Sequence, residues 1–551
     1  MASTKKADVD AVVIGAGFAG LGMLYRLREQ LGLSVQVFET GDDVGGTWYW
    51  NRYPGARCDS ESYIYCFSFS DELLQDWNWS GKYPEQPEIL SYLQHVADRF
   101  DLRRNIQFET RVTAAHYLED DNLWRVETNL GEVVHARFLI SGIGCISTGN
   151  VPDIPGRDSF KGDSFHTGAW PHDGVDFAGK RVAVIGTGSS GVQSIPVIAE
   201  QAGHLTVFQR TAQYTIPARH GTVDRRFLDE EVKPNYTELL EKARRSAGGI
   251  PVDFSERLAL EVSDEERNAI YEAGWREGGH RFIFGSFRDI MANLDANHTA
   301  SEFIRNKIRE TVKDPDLVAK LVPTDHPLGS KRALIDTNYF ETYNRDNVAL
   351  VDLKTDPIEC ITETGIRTAS GEFDVDIIVF ATGFDAMTGS FFKMDIQGRD
   401  GARLKDDWSE GPKSYLGLQV HKYPNLFMIT GPGSPSVLSN MPVSIEQHIE
   451  WIGDLIAHMR DEELDVVEAQ AGAQAEWVTH VNDVASQTLY MHANSWYLGA
   501  NIPGKPRVFM PYAGGVGAYR AHCEAIVDDG YRGFTLGRAA AQVASEHAAG
   551  G

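Results

Sequence analysis

The sequence has little cysteine, a shortage of basic charge and no long apolar run. Its five cysteines, Cys58, Cys66, Cys145, Cys360 and Cys523, are scattered over 551 residues, with no C-x-x-C pair. That leaves no residues for a thiol-redox couple or a zinc knuckle and argues against a disulfide framework. Lys and Arg number 52 against 78 Asp and Glu, a formal net charge of −26. A field of that sign repels nucleic acid and anionic membranes, so any anionic ligand must find local cations. No apolar run approaches the roughly 18 residues of a membrane span. The opening MASTKKADVD lacks the apolar core of a secretion signal. A reducing, cytoplasmic setting with small-molecule ligands is expected, and nothing implies a protein partner.

What the chain does have is glycine at meaningful places. DAVVIGAGFAGLGMLYRLREQ reads as a buried strand, a tight turn and a helix, with Gly15, Gly17 and Gly20 in G-x-G-x-x-G. The first glycine makes the turn, the second admits a pyrophosphate and the third lets helix pack on strand. The next strand, LSVQVFET, ends at Glu39. The pattern recurs in KRVAVIGTGSSGVQSIPVIAEQ, with Gly186, Gly188 and Gly191, and LTVFQRT follows as its second strand. Glu39 stands 24 positions after Gly15, and Arg210 stands 24 positions after Gly186. An acid suits a free ribose 2′-hydroxyl; an arginine suits a 2′-phosphate. The first unit is therefore expected to hold FAD and the second NADPH rather than NADH. The bland alternatives are a glycine turn without ligand and a solvated strand-end cation.

Two further strands end in glycine, ARFLISGIG and FDVDIIVFATGFDA. They mark where the chain passes between two such units. The expected fold is α/β, with two dinucleotide-binding (Rossmann-like) domains. The FAD domain is discontinuous, over 1–150 and 385–551, and the NADPH domain covers 151–220 and 326–384. Residues 221–325 are charged and helix-like, with a capping box at Ser263 and Glu266, and read as a helical insertion in the NADPH domain. The Ala/Gly-rich tail reads as frayed.

FKGDSFHTGAWPHD precedes the second turn and has no metal-ligand spacing. Phe160, Gly162, His166, Trp170 and Pro171 form F-x-G-x-x-x-H-x-x-x-W-P, which resembles the fingerprint of the type I Baeyer–Villiger monooxygenases. GGTWYWNRYPGARCD, KRALIDTNYFETYNRDN and SWYLGANIPGKPRVFMPYAGG agree with the same group, over nearly the whole chain. The nearest likeness is to the branch acting on aryl, steroid and large-ring ketones.

The resemblance implies an NADPH- and O2-dependent enzyme that converts ketones to esters or lactones through a flavin C4a-peroxide and a Criegee adduct. It makes Arg332 the cation that stabilises negative oxygen, with Asp59 orienting it. Lys331 would reach the NADP ribose or 2′-phosphate beside Arg210 and Thr211, and Trp496 would close over NADP. Phe18, Thr47, Trp48, Arg57, Tyr65, Val112 and Met441 would line the cofactor sites of the first unit, and Ser189, Ser190 and Gln193 those of the second. His166 is read as a hinge residue that bonds linker backbone, with Phe160 and Trp170 packing between domains; the alternative is general acid–base work. Ser436, Val437 and Leu438 are specificity candidates in a loop long enough for bulky ketones. The competing readings are a flavin monooxygenase acting on sulfur or nitrogen, a two-dinucleotide flavin reductase, and a non-enzymatic NADP sensor.

Overall fold

The computed structural model describes residues 5–538, so the tail from 539 lies outside the described residues. Two nucleotide-type sheets organise the chain. The first has eight strands and runs Asp395–Gln397, Val112–Leu118, Leu123–Thr128, Val133–Ser141, Val9–Ile14, Val35–Phe38, Ile106–Gln107, with Leu426–Met428 also beside Val133–Ser141. Its central strands are parallel; Val112–Leu118 and Leu123–Thr128 turn back as an antiparallel pair. The second sheet is all parallel, in the order Val348–Asp352, His204–Gln209, Arg181–Ile185, Ile377–Phe380, Asp163–His166. The strands Val9–Ile14 and Arg181–Ile185 are apolar almost throughout because helices cover both faces of such sheets.

Every strand of the second sheet lies between Asp163 and Phe380, while the first sheet takes strands from both sides of that span. The two crossings run side by side. Gly149 and Phe384 form an antiparallel bridge, the Asn150 N–H donates to the Gly383 carbonyl at 2.8 Å, and the Asp385 N–H donates to the Thr148 carbonyl at 2.8 Å.

Between the third and fourth strands of the second sheet in chain order, His204–Gln209 and Val348–Asp352, stands a helical region. Its helices include Tyr236–Arg245, Asp264–Glu277, Leu294–Thr311 and Pro315–Leu321. Three of these are capped by side chains: Ser263, Asn293 and Asp314 accept the orphan N–H groups of their first turns. The short strands Thr215–Pro217 and Leu334–Asp336 pair in parallel across the base of this region. The longest helix, Met441–Asp461, is buried along most of its length and packs on Phe18–Tyr25. All five cysteines are unpaired thiols. Among the described residues no helix is long and apolar enough to cross a membrane, and no group of three His, Cys, Asp or Glu could hold a metal.

Candidate active site

The first glycine turn is closed. Gly15 has φ +97°, and a Cβ on Gly20 would lie 1.7 Å from the Gly15 carbonyl oxygen, so only glycine fits there. Gly17 caps the helix Phe18–Tyr25 and faces the Cα of Gly46. Glu39 is buried and its two carboxylate oxygens accept the N–H groups of Ala16 and Gly41, both at 2.7 Å. Burial pushes its pKa up, and those N–H groups oppose the shift. Just past it opens a cavity of about 410 Å³ lined by residues including Thr40, Tyr49, Glu109 and Arg111. Thr47 starts the short helix Thr47–Trp50. Trp48 donates its indole N–H to the Tyr65 hydroxyl at 3.2 Å, and Phe18 packs edge-on against Tyr65. Val112 is buried. Met441 is the first residue of the long helix.

The second turn has the same skeleton and an open front. Gly186 has φ +107°, and a Cβ on Gly191 would lie 2.3 Å from the Gly186 carbonyl oxygen. A Cβ on Gly188, by contrast, would meet nothing within 4 Å. Gly188 caps the helix Ser189–Gln201, Ser189 is exposed, and Ser190 is buried and accepts from the Thr167 hydroxyl. Thr211 gives its carbonyl to the Thr187 hydroxyl at 2.9 Å. Arg210 is exposed. Lys331 lies close enough to Arg210, Asp325 and Lys354 to sense their charges. Burial lowers its pKa; Asp325 opposes this, and Arg210 and Lys354 add to it. A cradle of free space at a helix N-terminus flanked by two cations fits a phosphorylated dinucleotide.

Where the two units meet, Arg332 and Asp59 pair. Nε and Nη2 of Arg332 both donate to Oδ2 of Asp59, at 2.9 and 2.6 Å, and Nη1 donates to the Val437 carbonyl at 2.8 Å. About a quarter of each side chain stays exposed, 26% and 23%. Burial works against the Asp59 charge, but Arg332 and then His280 overcome it, holding the carboxyl below its usual range. Burial likewise works against the Arg332 charge, and Asp59 and Tyr497 more than offset it. Both groups are therefore ionised at neutral pH, and a cation remains partly open to a ligand.

His280 and Tyr497 were not found by sequence reading. His280 comes from the helical region, beside an ion pair between Arg281 and Glu61. Tyr497 is buried next to Trp496, ring centroids 4.4 Å apart. No local pattern marks His280, while Tyr497 stands beside Trp496 in SWYLGANIPGKPRVFMPYAGG; each reaches the Arg332–Asp59 pair through the tertiary fold.

Two residues and one segment have surroundings that the sequence did not suggest. Gln193 does not face the second turn's open front: its amide accepts from the Tyr53 hydroxyl at 2.8 Å and donates to the Arg57 carbonyl at 3.0 Å. Ser436 is fully buried with φ +43°, its hydroxyl 3.0 Å from Cys145 Sγ. The fingerprint is not a free linker, because Asp163–His166 is the edge strand of the second sheet. Of the loop, Val437 is buried and gives its carbonyl to Arg332, and Leu438 is half-buried. Arg57 pairs with Glu85 at 2.9 Å, while its buried Nη1 has no partner.

In the fingerprint, His166 donates Nε2–H to the Gly383 carbonyl at 3.1 Å and accepts the Gly168 N–H on Nδ1 at 3.0 Å. That pattern fixes its tautomer, and burial lowers its pKa, so the ring is neutral. A Cβ on Gly149 would lie 2.8 Å from the ring, and a Cβ on Gly168 would strike Phe384. His166 thus packs on both crossings. A Cβ on Gly162 would fall 2.4 Å from the Asp376 carbonyl oxygen and 2.6 Å from the Phe160 ring. Trp170 is buried beside Phe165 and Phe177, Phe160 is half-buried, and Pro171 follows at the surface edge.

Comparison with known proteins gives a consistent set of likenesses. Residues 12–274 match the pyridine nucleotide-disulphide oxidoreductase family model. The chain is 47% identical to a Baeyer-Villiger monooxygenase of Pseudooceanicola batsensis, covering 98% of both chains. It is similar to a solved oxidised steroid monooxygenase bound to NADP, with 52% identity, TM-score 0.92, and 96% and 99% of the two chains covered. It is also similar to OTEMO in complex with FAD and NADP, with 43% identity, TM-score 0.93, and coverage of 97% and 100%.

Proposed function

The chain belongs to the Baeyer–Villiger monooxygenases, and on that premise we propose that it inserts one oxygen atom of O2 into bulky cyclic or aryl ketones, giving lactones or esters. It binds FAD and NADP(H). When bound, FAD takes hydride from NADPH and activates O2; the protein supplies position and electrostatics. We place the enzyme in the cytoplasm, where five unpaired thiols stay reduced.

Supporting the reading above all is the Arg332–Asp59 pair at the seam of the two units. Negative charge develops on the ketone oxygen as the new C–O bond forms. Arg332 is a permanent cation whose three donor nitrogens are fixed by Asp59 and the Val437 carbonyl, so it is oriented before the charge appears. Asp59 also balances that cation while no substrate is present. Glu39 accepts the ribose hydroxyls of FAD on the lone pairs that its two N–H partners leave free. Arg210, Lys331 and Thr211 hold the 2′-phosphate end of NADPH, and Ser189 and Ser190 offer helix N-terminal N–H groups to its pyrophosphate. His166 serves as a neutral pin on both crossings, so the units turn about it without proton transfer. Trp496 and Tyr497 cover the seam, and Leu438 with the Val437 backbone borders the ketone.

The test is direct. The purified yellow protein is given NADPH, O2 and a panel of aryl, large-ring, small-ring and steroid ketones. Products of ketone mass plus one oxygen, in amounts matching NADPH consumed, are expected with bulky ketones. Oxidation only of amines or sulfides across the panel would overturn the reading.

A further inference from the structure

We propose that Tyr53 and Gln193 form a clasp that sets the second unit's nucleotide helix against the catalytic carboxylate. Gln193 is then a positioning residue for oxygen transfer rather than a ligand of the coenzyme. The inference rests on the monooxygenase reading above.

Gln193 lies four residues into the helix Ser189–Gln201, about 6 Å along its axis from Ser189. Both ends of its amide are engaged by the segment that leads to Asp59. The Tyr53 hydroxyl donates to Oε1 at 2.8 Å, and Nε2 donates to the Arg57 carbonyl at 3.0 Å. An amide held at its acceptor and its donor has a fixed orientation. The backbones are also in close approach. Gly55 has φ +81°, and a Cβ there would lie 2.4 Å from the Gln193 carbonyl oxygen. The loop therefore sits directly on the helix, with glycine removing the only side chain that would separate them.

Tyr53 connects this contact to the chemistry. Its phenol pKa is raised first by burial and then by the charge of Asp59, so the ring lies within the field of the catalytic carboxylate. Tyr53 and the Arg57 carbonyl, the two groups that grip the Gln193 amide, belong to the short segment that ends at Asp59, so the segment ties the Arg332 pair to the helix whose N-terminus faces the open cradle at Gly188. The tie fixes where a nucleotide on that helix sits relative to Arg332. Small displacements of reacting groups carry large rate penalties, and this contact is where such a displacement would originate.

The experiment compares Tyr53→Phe, Gln193→Leu and the double variant, with NADPH and a ketone that the parent oxygenates. The measurements are kcat, KM for NADPH, the ester-to-H2O2 ratio and the melting temperature, together with amide hydrogen exchange of residues 189–193 in the coenzyme-free protein. Gln193→Leu is expected to lower kcat about five- to twenty-fold, with KM within about two-fold and a larger H2O2 share. Tyr53→Phe, which keeps the buried ring, should lose about three- to five-fold. The double variant should be little worse than Gln193→Leu, because both changes remove one shared bond. Exchange at 189–193 should quicken in all three. A raised KM at unchanged kcat would make the amide a coenzyme ligand and overturn the proposal. So would a lowered melting temperature with kcat and ester ratio intact, or additive losses in the double variant. If the parent makes no ester from any ketone, the functional reading fails instead. The clasp is then judged by hydrogen exchange and by the double cycle on anaerobic flavin reduction.

Discussion

The two glycine turns share a skeleton and differ in what surrounds it. In the first, Gly17 is backed by Gly46, and Glu39 is buried with both oxygens bonded to backbone N–H groups. In the second, Gly188 faces open space and Arg210 lies exposed. A roofed site suits a cofactor that stays; an open one flanked by cations suits a coenzyme that arrives, delivers hydride and is exchanged. The same fingerprint serves both tasks because the glycines set only the turn. The neighbouring loop sets how closed each turn is, and the sign of the residue 24 positions on sets which ribose it suits.

The largest effect should come from the residue that belongs to neither turn. Arg332→Ala should bind FAD and oxidise NADPH but release H2O2, with ester formation down about 10²–10³-fold. Arg332→Lys should recover little, since one ammonium cannot span Asp59 and the Val437 carbonyl together. NADPH, H2O2 and ester measured in one vessel check this; ester within a few-fold of the parent would move the cation elsewhere.

Next comes Arg210→Ala. Loss of a charge-assisted contact to the 2′-phosphate, about 1.5–3 kcal/mol, should weaken NADPH binding and leave NADH nearly unchanged. Equal weakening of both, measured by coenzyme titration, would break the assignment of the open site.

A matched pair of alanines then separates roofed from open. Gly188→Ala should fold with normal FAD content and melting temperature and raise the NADPH KM roughly ten-fold, because its methyl enters ligand space alone. Gly17→Ala should lose FAD instead, as its Cβ would press within 3.2 Å of Gly46. FAD absorbance and KM give the answer, and identical behaviour of the two would erase the distinction.

The effect with the least bearing on activity lies behind the roofed unit and is one of stability. Glu446 is buried on the long helix, bonding the Ser68 N–H and hydroxyl, each at 2.5 Å. Burial pushes its pKa up to about 7, with Ser68 and Arg244 opposing and Glu450 adding. A carboxyl raised in the folded state favours the fold while protonated, so stability should fall as pH rises from its unfolded value toward 7. The loss is on the order of 3 kcal/mol at most. Glu446→Gln should flatten the melting temperature across that window; an unchanged slope would show that Glu446 titrates normally.

Local pattern made the turns, the Glu39 and Arg210 offsets, and the Ser263 cap readable. Each depends on neighbours within a few turns of chain. The Lys331-Arg332 step was readable only through resemblance, because its chemistry comes from a partner 273 positions away. Gln193 was misplaced since a nucleotide helix ordinarily presents its first turns to ligand, and nothing local says that Tyr53 reaches it first. Ser436 was named as a specificity candidate from its loop, and that loop gives no sign of the burial between Cys145 and Met387. His280 carries no local signal, and Tyr497 sits in the same motif as Trp496 with nothing there to point it at Arg332.

The side-by-side crossings give the chain a host-and-guest plan. At an antiparallel bridge the two Cα atoms lie about 5 Å apart, so the Gly149–Phe384 bridge brings entry and exit of the guest almost to one point. Excising the intervening span and closing it with a two-residue turn would leave the host sheet's strands in their order. By the same geometry, a guest from a related chain could be transplanted at these two sites. On the roles proposed for Arg210 and Lys331, which travel with the guest, such a graft would transfer coenzyme preference as one cassette. Arg332 travels too, while Asp59 stays behind, so an exchanged cassette has to rebuild that ion pair across the new border.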